Sequence, residues 1–248
     1  MLDKHLAHFA RIITLTIAVL NLVACNVLEN GMPTALSGSG EIVSRTYDFA
    51  DFDQVSVSAA FRGTIEQGSD YSIVVRVDEN LEQHLKVEQI GNQVKIDLMP
   101  NTLVNRGTLE FSIVMPTITD VEASGASVIE LSGFSSSESL RAEASGASRI
   151  EGDISSGDAD IESSGSSTIR FSGTAGDLQA NASGASTIDL EQFMVDDAKV
   201  NASGASRIVI QASGTLDAEA SGASTVNYLG NPDLGQIEQS GGSTISAQ

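Results

Sequence analysis

The sequence predicts an all-β protein, a β-solenoid in which rungs of about 19 residues stack in parallel. Three observations predict this fold. A four-residue motif recurs seven times at near-constant spacing, the residues around it alternate between apolar and polar, and large and small apolar residues alternate from one repeat to the next. After residue 25, no stretch shows sustained helical periodicity, so the pattern is that of strands throughout.

The repeated motif is Ser-Gly-Ala-Ser or a close variant, as at residues 145–148. Its successive glycines are 21, 19, 19, 20, 18 and 19 residues apart, a period typical of solenoids. Glycine adopts positive φ without steric cost, so we expect it to make the bend in each rung. The seven glycines are Gly125, Gly146, Gly165, Gly184, Gly204, Gly222 and Gly241.

Two columns of the aligned repeats are predicted to face inward, because they lie two and four residues after the glycine and strand side chains alternate with a period of two. The column four residues after the glycine is apolar and consists of Ile129, Ile150, Ile169, Ile188, Ile208, Val226 and Ile245. The column two residues after it consists of Ser127, Ser148, Ser167, Ser186, Ser206, Ser224 and Ser243. Buried hydroxyls need partners, and we expect them in neighbouring serines and in the turn backbone.

Two further columns alternate in size with opposite phase, which predicts that neighbouring rungs interdigitate at constant packed volume. Four residues before the glycine stand Val121, Ala142, Ile161, Ala180, Val200, Ala218 and Ile237. Six residues before it stand Thr119, Leu140, Ala159, Leu178, Ala198, Leu216 and Gly235. A large residue in one column is thus accompanied by a small one in the other.

The outward columns are polar. Three residues after the glycine stand mostly Thr and Arg. Five residues after it, Glu130, Glu151 and Asp189 form a column that Arg170 and Val209 interrupt. Stacked carboxylates about 4.8 Å apart repel unless they are hydrated or bridged by cations. The column three residues before the glycine consists of Glu122, Glu143, Glu162, Asn181, Asn201, Glu219 and Glu238.

The chain divides into four predicted segments: a leader (1–24), a flexible tether (25–40), an N-terminal β region (41–118) and the seven repeats (119–248). The β region has longer, less repetitive strands and is expected to begin and cap the solenoid. Gly91-Asn92 predicts a tight hairpin, and residues 79–84 predict one short helical turn.

The leader has the layout of a bacterial export signal: basic residues at Lys4 and Arg11, then an apolar run over 12–24. Its end, Leu22-Val23-Ala24-Cys25, resembles a lipobox, which would make Cys25 the lipidated mature N-terminus. Cys25 is the single cysteine of the chain; the alternative is an ordinary signal peptide with an incidental free thiol. Because Asn26 follows rather than Asp, we expect an outer-membrane lipoprotein, periplasmic or surface-facing, anchored in the bilayer by its acylated end.

The sequence offers little for catalysis, and we expect no cofactor, no metal and no catalytic residue. The formal charge of −20 disfavours nucleic acid as a partner. His84 is the only histidine after the leader, and the motif serines have no adjacent base. The acidic loop 152–160 is a weak candidate cation site, and the outward carboxylates are a weak candidate for glycoside hydrolysis.

Several segments together resemble one family. These are Ser39-Gly40-Glu41-Ile42-Val43, Phe52-Asp53-Gln54-Val55-Ser56-Val57 and Gly63-Thr64-Ile65-Glu66-Gln67-Gly68, followed by the Ser-Gly-Ala-Ser repeats. They resemble the head GIN family, known as auto-transporter adhesins, over about residues 39–247. The resemblance implies a right-handed parallel β-helix related in shape to pectin-lyase-like solenoids, without an identified catalytic site.

We therefore expect an envelope-anchored, non-catalytic adhesion or surface-interaction module that contacts a glycan or a surface protein. The alternatives are a carbohydrate-active solenoid enzyme and a structural or sensory envelope protein that acts through a partner. The last repeat has no obvious cap, so we expect its open strand edges to be covered, with a second copy as the candidate.

Overall fold

The computed structural model describes residues 35–248 and confirms the predicted β-solenoid. Strand dominates, and the helical element is one 3₁₀ helix, Glu79–His84. The strands are β1 (Leu36–Ser37), β2 (Ile42–Tyr47), β3 (Gln54–Val57), β4 (Arg62–Gln67), β5 (Ser72–Asp78), β6 (Leu85–Ile90), β7 (Gln93–Leu98), β8 (Val104–Arg106), β9 (Leu109–Met115), β10 (Asp120–Ala123), β11 (Val128–Ser135), β12 (Leu140–Ala144), β13 (Arg149–Ser155), β14 (Ala159–Ser163), β15 (Thr168–Thr174), β16 (Leu178–Ala182), β17 (Thr187–Val195), β18 (Ala198–Ala202), β19 (Arg207–Ala212), β20 (Thr215–Ala220), β21 (Thr225–Gly230), β22 (Asp233–Gln239) and β23 (Thr244–Ala247).

Each repeat forms one coil of two strands, one before and one after the motif glycine. The strands before the glycine, together with β3, β7 and β6, build a ten-stranded sheet, in the order β22-β20-β18-β16-β14-β12-β10-β3-β7-β6. The strands after it, together with β4, β9, β5 and β2, build an eleven-stranded sheet, in the order β2-β5-β9-β4-β11-β13-β15-β17-β19-β21-β23. Successive coils pair in parallel, and the inner faces of the two sheets enclose one continuous core.

The predicted inward columns are in register and buried. Ile150 pairs with Ile169, which in turn pairs with Ile188, and all three residues are fully buried. The large/small alternation is confirmed over most of its length, as Leu140, Ala159 and Leu178 pair in succession. The predicted alternation is wrong in the last coil. A bulge in the β20–β22 pairing places Leu216 opposite Leu234 and not opposite Gly235, and Leu234 is 53% exposed.

The motif glycines make the predicted bends. They have φ between +70° and +74° and stack directly on one another. A Cβ on Gly184 would lie 2.7 Å from the carbonyl oxygen of Gly165 in the coil before it. Glycine is therefore required both by the backbone conformation and by the close approach of neighbouring turns.

The serine column is buried as predicted, except at its last member, Ser243, which is partly exposed. The expected bonds to the turn backbone are present: Ser167 Oγ lies within hydrogen-bond distance of the carbonyl oxygens of Ala144 in the preceding coil (2.9 Å) and of Ser164 in its own turn (2.8 Å). It also lies 2.8 Å from Oγ of Ser163, a serine outside the column. The serines of the column thus fasten each turn to the one beneath it mainly through backbone carbonyls.

Part of the N-terminal region forms coils without the motif. Strands β3 and β4 pair in parallel with β10 and β11, so they form a coil directly beneath the first repeat. Their connecting turn has Ala59 and Ala60 at φ of +57° and +69°, and Gly125 stacks on Ala59. Strands β7 and β9 supply a further coil on the other side.

Antiparallel strands close this end of the solenoid. Strand β6 pairs with β7, and strands β5 and β2 continue the second sheet beyond β9. The Gly91-Asn92 hairpin between β6 and β7 and the short helical turn at residues 79–84 are both confirmed. The 3₁₀ helix buries Leu81, and the chain enters this capped end through β1, which pairs with β8.

Candidate functional site

An open groove of about 460 Å³ lies on the outer face of the ten-stranded sheet, beside the motif turns. It crosses the coils of the third to seventh repeats and reaches Glu143 of the second repeat. Because each coil contributes the same positions, the lining repeats from coil to coil. One position is the serine that directly precedes each motif glycine (Ser164, Ser183, Ser203, Ser221 and Ser240). The other is the residue three before the glycine (Glu162, Asn181, Asn201, Glu219 and Glu238).

The middle of the groove is neutral. Asn201 Nδ2 donates to Asn181 Oδ1 at 3.0 Å, so the two amides form a short ladder that leaves one donor and one acceptor end free along the groove. On the side of the earlier repeats, the glutamates are paired with an arginine. Glu143 and Glu162 both contact Arg141, at 3.1 and 3.7 Å, which relieves the repulsion expected of stacked carboxylates.

A second acidic feature lies in the adjoining outward column, five residues before the glycine. Asp120, Arg141 and Asp160 pair in register on β10, β12 and β14, and one oxygen of each aspartate is buried without a hydrogen-bond partner. Burial, reinforced by Glu122, raises the pKa of Asp120 to about 6 against the opposing effect of Arg141. Burial and then Glu162 raise the pKa of Asp160 as well. A cavity of about 410 Å³ adjoins Arg141 and Asp160.

The outer face of the eleven-stranded sheet carries the carboxylate column noted in the sequence. Glu130, Glu151, Arg170 and Asp189 are in register across successive coils. Arg170 contacts Glu151 at 3.6 Å and Asp189 at 2.9 Å, so it neutralises the carboxylates on both sides. This arrangement supports surface ion pairing.

The other predicted positions have simple placements. Cys25 lies outside the described residues. His84 ends the 3₁₀ helix and is half-buried. The predicted acidic loop 152–160 is a loop only at residues 156–158, because residues 152–155 belong to β13 and residues 159–160 to β14. There, Asp158 Oδ1 accepts a hydrogen bond from the backbone N–H of Asp177 at 3.0 Å. Among residues 35–248, no three His, Cys, Asp or Glu residues are grouped to hold a metal ion, and no helix has the length and apolarity to cross a bilayer.

Sequence reasoning missed Asp120 and Asp160. The signal was available, because the same alignment column reads Asp120, Arg141, Asp160 in successive repeats. What the sequence could not show is that their neighbours cover one oxygen of each carboxylate.

Fold and surface together define the chain as a two-sheet parallel β-solenoid with a repetitive polar face. The sequence profile described as "putative auto-transporter adhesin, head GIN domain" matches residues 51–232, and the chain belongs to this family. No curated protein matches it in sequence.

Solved structures share the fold at low identity. A putative adhesin from Bacteroides fragilis aligns with TM-score 0.81 and 16% identity, covering 86% of this chain and 100% of its own. A putative lipid binding protein from Parabacteroides distasonis aligns at 0.70 and 18%, covering 87% and 100%. A putative adhesin from Parabacteroides merdae aligns at 0.68 and 16%, covering 86% and 99%.

Proposed function

We propose that this chain is a non-catalytic adhesion module of the bacterial envelope, which holds a linear glycan along the groove of the ten-stranded sheet. The groove itself is the observation that carries the proposal. It offers serine hydroxyls, amides and carboxylates at the same two positions of each of five coils. The family description as an adhesin supports the same function.

The periodicity of the groove favours a periodic ligand. Coils stack about 4.8 Å apart, a step similar to the length of one sugar ring in an extended polymer. Each ring could then meet one serine hydroxyl together with either an amide or a carboxylate. Single contacts of this kind are weak, but several on one polymer act together, because the second and later contacts form at high effective concentration.

The amide ladder gives the groove polarity suited to sugars. Asn181 and Asn201 each combine donor and acceptor, as sugar hydroxyls do, and they lie at the centre of the groove. Glu219 and Glu238 are exposed at one end. Their carboxylates could accept hydrogen bonds from sugar hydroxyls or pair with a free amino group.

We further propose that Cys25 is acylated after removal of residues 1–24 and that it anchors the module to the outer membrane. Stable anchoring of this kind needs more than one acyl chain, as a lipidated N-terminal cysteine provides. Mass spectrometry of the envelope protein would detect an acylated Cys25, and a free thiol there would overturn the anchor.

A binding array tests the adhesion proposal. The chain lacking residues 1–25 is applied to immobilised glycans and to cell surfaces. Binding to a defined polymer that is lost in Asn181→Arg but kept in Thr187→Arg supports the groove, because Thr187 lies on the opposite sheet. Equal binding by both variants would place the contact elsewhere, and no binding to any glycan would refute the ligand class.

One observation favours a second candidate, a carbohydrate-cleaving enzyme. Asp120 and Asp160 lie two strands apart, about 9.6 Å at the usual strand spacing, near the separation of carboxylates in inverting glycosidases. The raised pKa of Asp120 would suit a general acid. Release of shorter fragments from the bound polymer, abolished in Asp160→Asn while binding persists, would favour this candidate.

For the last coil, we propose that a second copy of the chain pairs with the edges of β22 and β23. Leu234 is largely exposed there, and Ile237 and Ile245 are only partly covered by the described residues. Light scattering at rising concentration should show a dimer that Leu234→Asp weakens. A monomer at all concentrations would contradict this proposal.

A further inference from the structure

The capped end carries an uncharged, apolar loop on a strongly acidic protein. Residues 98–105 contain no charged side chain, although 19% of the chain is charged and its net charge is −20. Within this stretch Met99 is 48% exposed and Leu103 is 52% exposed. Few large apolar residues of the described chain are this exposed, and two of them, Met99 and Leu103, lie within five residues of each other.

The loop is held in place at its base. The backbone N–H of Met99 donates to the carbonyl of His84 at 2.7 Å, and that of Thr102 donates to Met99 at 3.2 Å. Strand β8 follows directly and pairs with β1. The loop therefore presents its apolar side chains from a fixed backbone.

The entering chain is fastened to the same place. The N–H of Leu36 donates to the carbonyl of Leu103 at 2.7 Å. Buried Asp78 then accepts hydrogen bonds from the N–H groups of Gly40 and Thr108, both at 2.6 Å. An anchor upstream of Leu36 would therefore keep the capped end of the solenoid, and this loop with it, close to the point of attachment.

We propose that the loop from Met99 to Leu103 contacts the lipid bilayer, so that the capped end of the solenoid rests on the membrane surface. The inference rests on the proposed anchor at Cys25. Ten residues lie between Cys25 and Leu36, so Leu36, which is hydrogen-bonded to the loop at Leu103, can lie at most about 40 Å from the acylated residue. At such a tether length, the effective concentration of bilayer is high and two apolar side chains suffice for contact.

The contact would orient the protein. Coils extend from β9 to β23 in eight steps, which at the parallel strand spacing is about 40 Å. A cap on the membrane directs the last coil outward and lays the groove along the membrane normal. The acidic residues around the cap, such as Glu79 and Asp97, favour a bilayer without net negative charge.

Tryptophan fluorescence can test the contact, because the chain has no tryptophan and a single cysteine. Residues 25–248, which include every described strand, are coupled through Cys25 to phosphatidylcholine vesicles bearing maleimide head groups. Leu103→Trp reports on the loop. The matched control is Met194→Trp, which replaces an equally exposed residue (49%) on β17, five coil steps or about 24 Å from β9.

The expected result is a blue-shifted emission of Leu103→Trp that brominated acyl chains quench at least twofold, with no shift or quenching in Met194→Trp. Adding Met99→Glu to Leu103→Trp should abolish the quenching, while adding Met194→Glu should leave it unchanged. An unquenched Leu103→Trp, or equal quenching at both positions, would overturn the inference.

The coupling chemistry replaces the natural lipid, so the two proposals fail separately. A free Cys25 in protein isolated from the envelope would overturn the anchor. An acylated Cys25 together with an unquenched Leu103→Trp would leave the anchor standing and overturn the loop contact alone.

Discussion

Replacing one motif glycine by alanine isolates the close stacking of turns that defines the solenoid. Gly184 lies in the fourth of seven repeats, at φ of +74°, and its added Cβ would meet the carbonyl oxygen of Gly165 at 2.7 Å and the nitrogen of that residue at 3.1 Å. Both atoms are backbone, so a side-chain rotation cannot relieve the contact. Gly91 is the matched control, because it has φ of +62° but no atom within 4 Å of an added Cβ.

The two substitutions share one cost and differ in another. An L-residue in the left-handed region costs about 1–2 kcal/mol, and this applies to both. Gly184→Ala also forces two coils apart, and overpacking of a close-packed interior adds about 1–3 kcal/mol. We therefore expect Gly184→Ala to lower the free energy of unfolding by about 2–5 kcal/mol and Gly91→Ala by about 1–2 kcal/mol.

Urea unfolding followed by circular dichroism near 218 nm measures both changes. With a slope of about 2 kcal/mol per molar urea, the midpoint of Gly184→Ala should fall below that of Gly91→Ala by about 0.5–1.5 M. Equal midpoints would refute the stacked-turn geometry. A loss of cooperativity in Gly184→Ala alone would still support it, because each coil is stabilised by its neighbours.

Three further substitutions test other parts of the structure by the same urea method. Ser186→Ala should cost about 1 kcal/mol because it removes a buried hydrogen bond, whereas Ser183→Ala, at an exposed position, should cost nothing measurable. Asp120 keeps its proton to higher pH in the folded chain than in the unfolded one, so folding stability falls as pH rises from about 4 to 6. Asp120→Asn should therefore stabilise the protein at pH 7.5 by about 1–2 kcal/mol, which is less than the free energy equivalent of the whole pKa shift because the site is partly solvated. The stabilisation should shrink as the pH is lowered. A stability difference between the variant and the parent protein that does not change with pH would contradict this prediction. Leu178→Ala should cost about 2–5 kcal/mol, and adding Ala180→Leu should not rescue it if the size alternation matters, although the composition is restored.

The sequence predicted the solenoid because its repeats are nearly identical. Seven aligned copies make the inward columns visible, and burial and register at Ile150 or Ser167 follow from them. The serine hydroxyls were expected to bond to one another and to the turn backbone. Carbonyls of the turn and of the preceding coil are their main partners, because the tight glycine turns of successive coils bring those carbonyls within reach.

The coil formed by β3 and β4 could not be found in this way. Its turn uses Ala59 and Ala60 in left-handed conformations where the repeats use glycine, so the motif is absent although the backbone geometry is similar. The strands it pairs with are also distant in sequence, since the chain leaves to build the cap before returning to β9 and β10. Likewise, the bulge that places Leu216 opposite Leu234 is a shift in strand register, which the periodicity of the side chains does not encode.

The candidate site was only partly predictable. The polar columns were visible, including the interruption at Asn181 and Asn201. Their joining into a groove beside the turns is a feature of the three-dimensional surface that a repeat pattern leaves open. The buried oxygens of Asp120 and Asp160 depend on packing around Arg141 and were therefore also hidden.

If the groove binds one polymer through contacts repeated from coil to coil, the affinity depends on the length of the ligand, and this dependence is the decisive measurement for the proposed function. Calorimetry would measure Kd for fragments of increasing length, prepared from a glycan bound on the array. The affinity should rise with each added sugar up to about five units, one for each groove coil, and then level off. An affinity that is already complete with one or two sugars would refute binding along the groove.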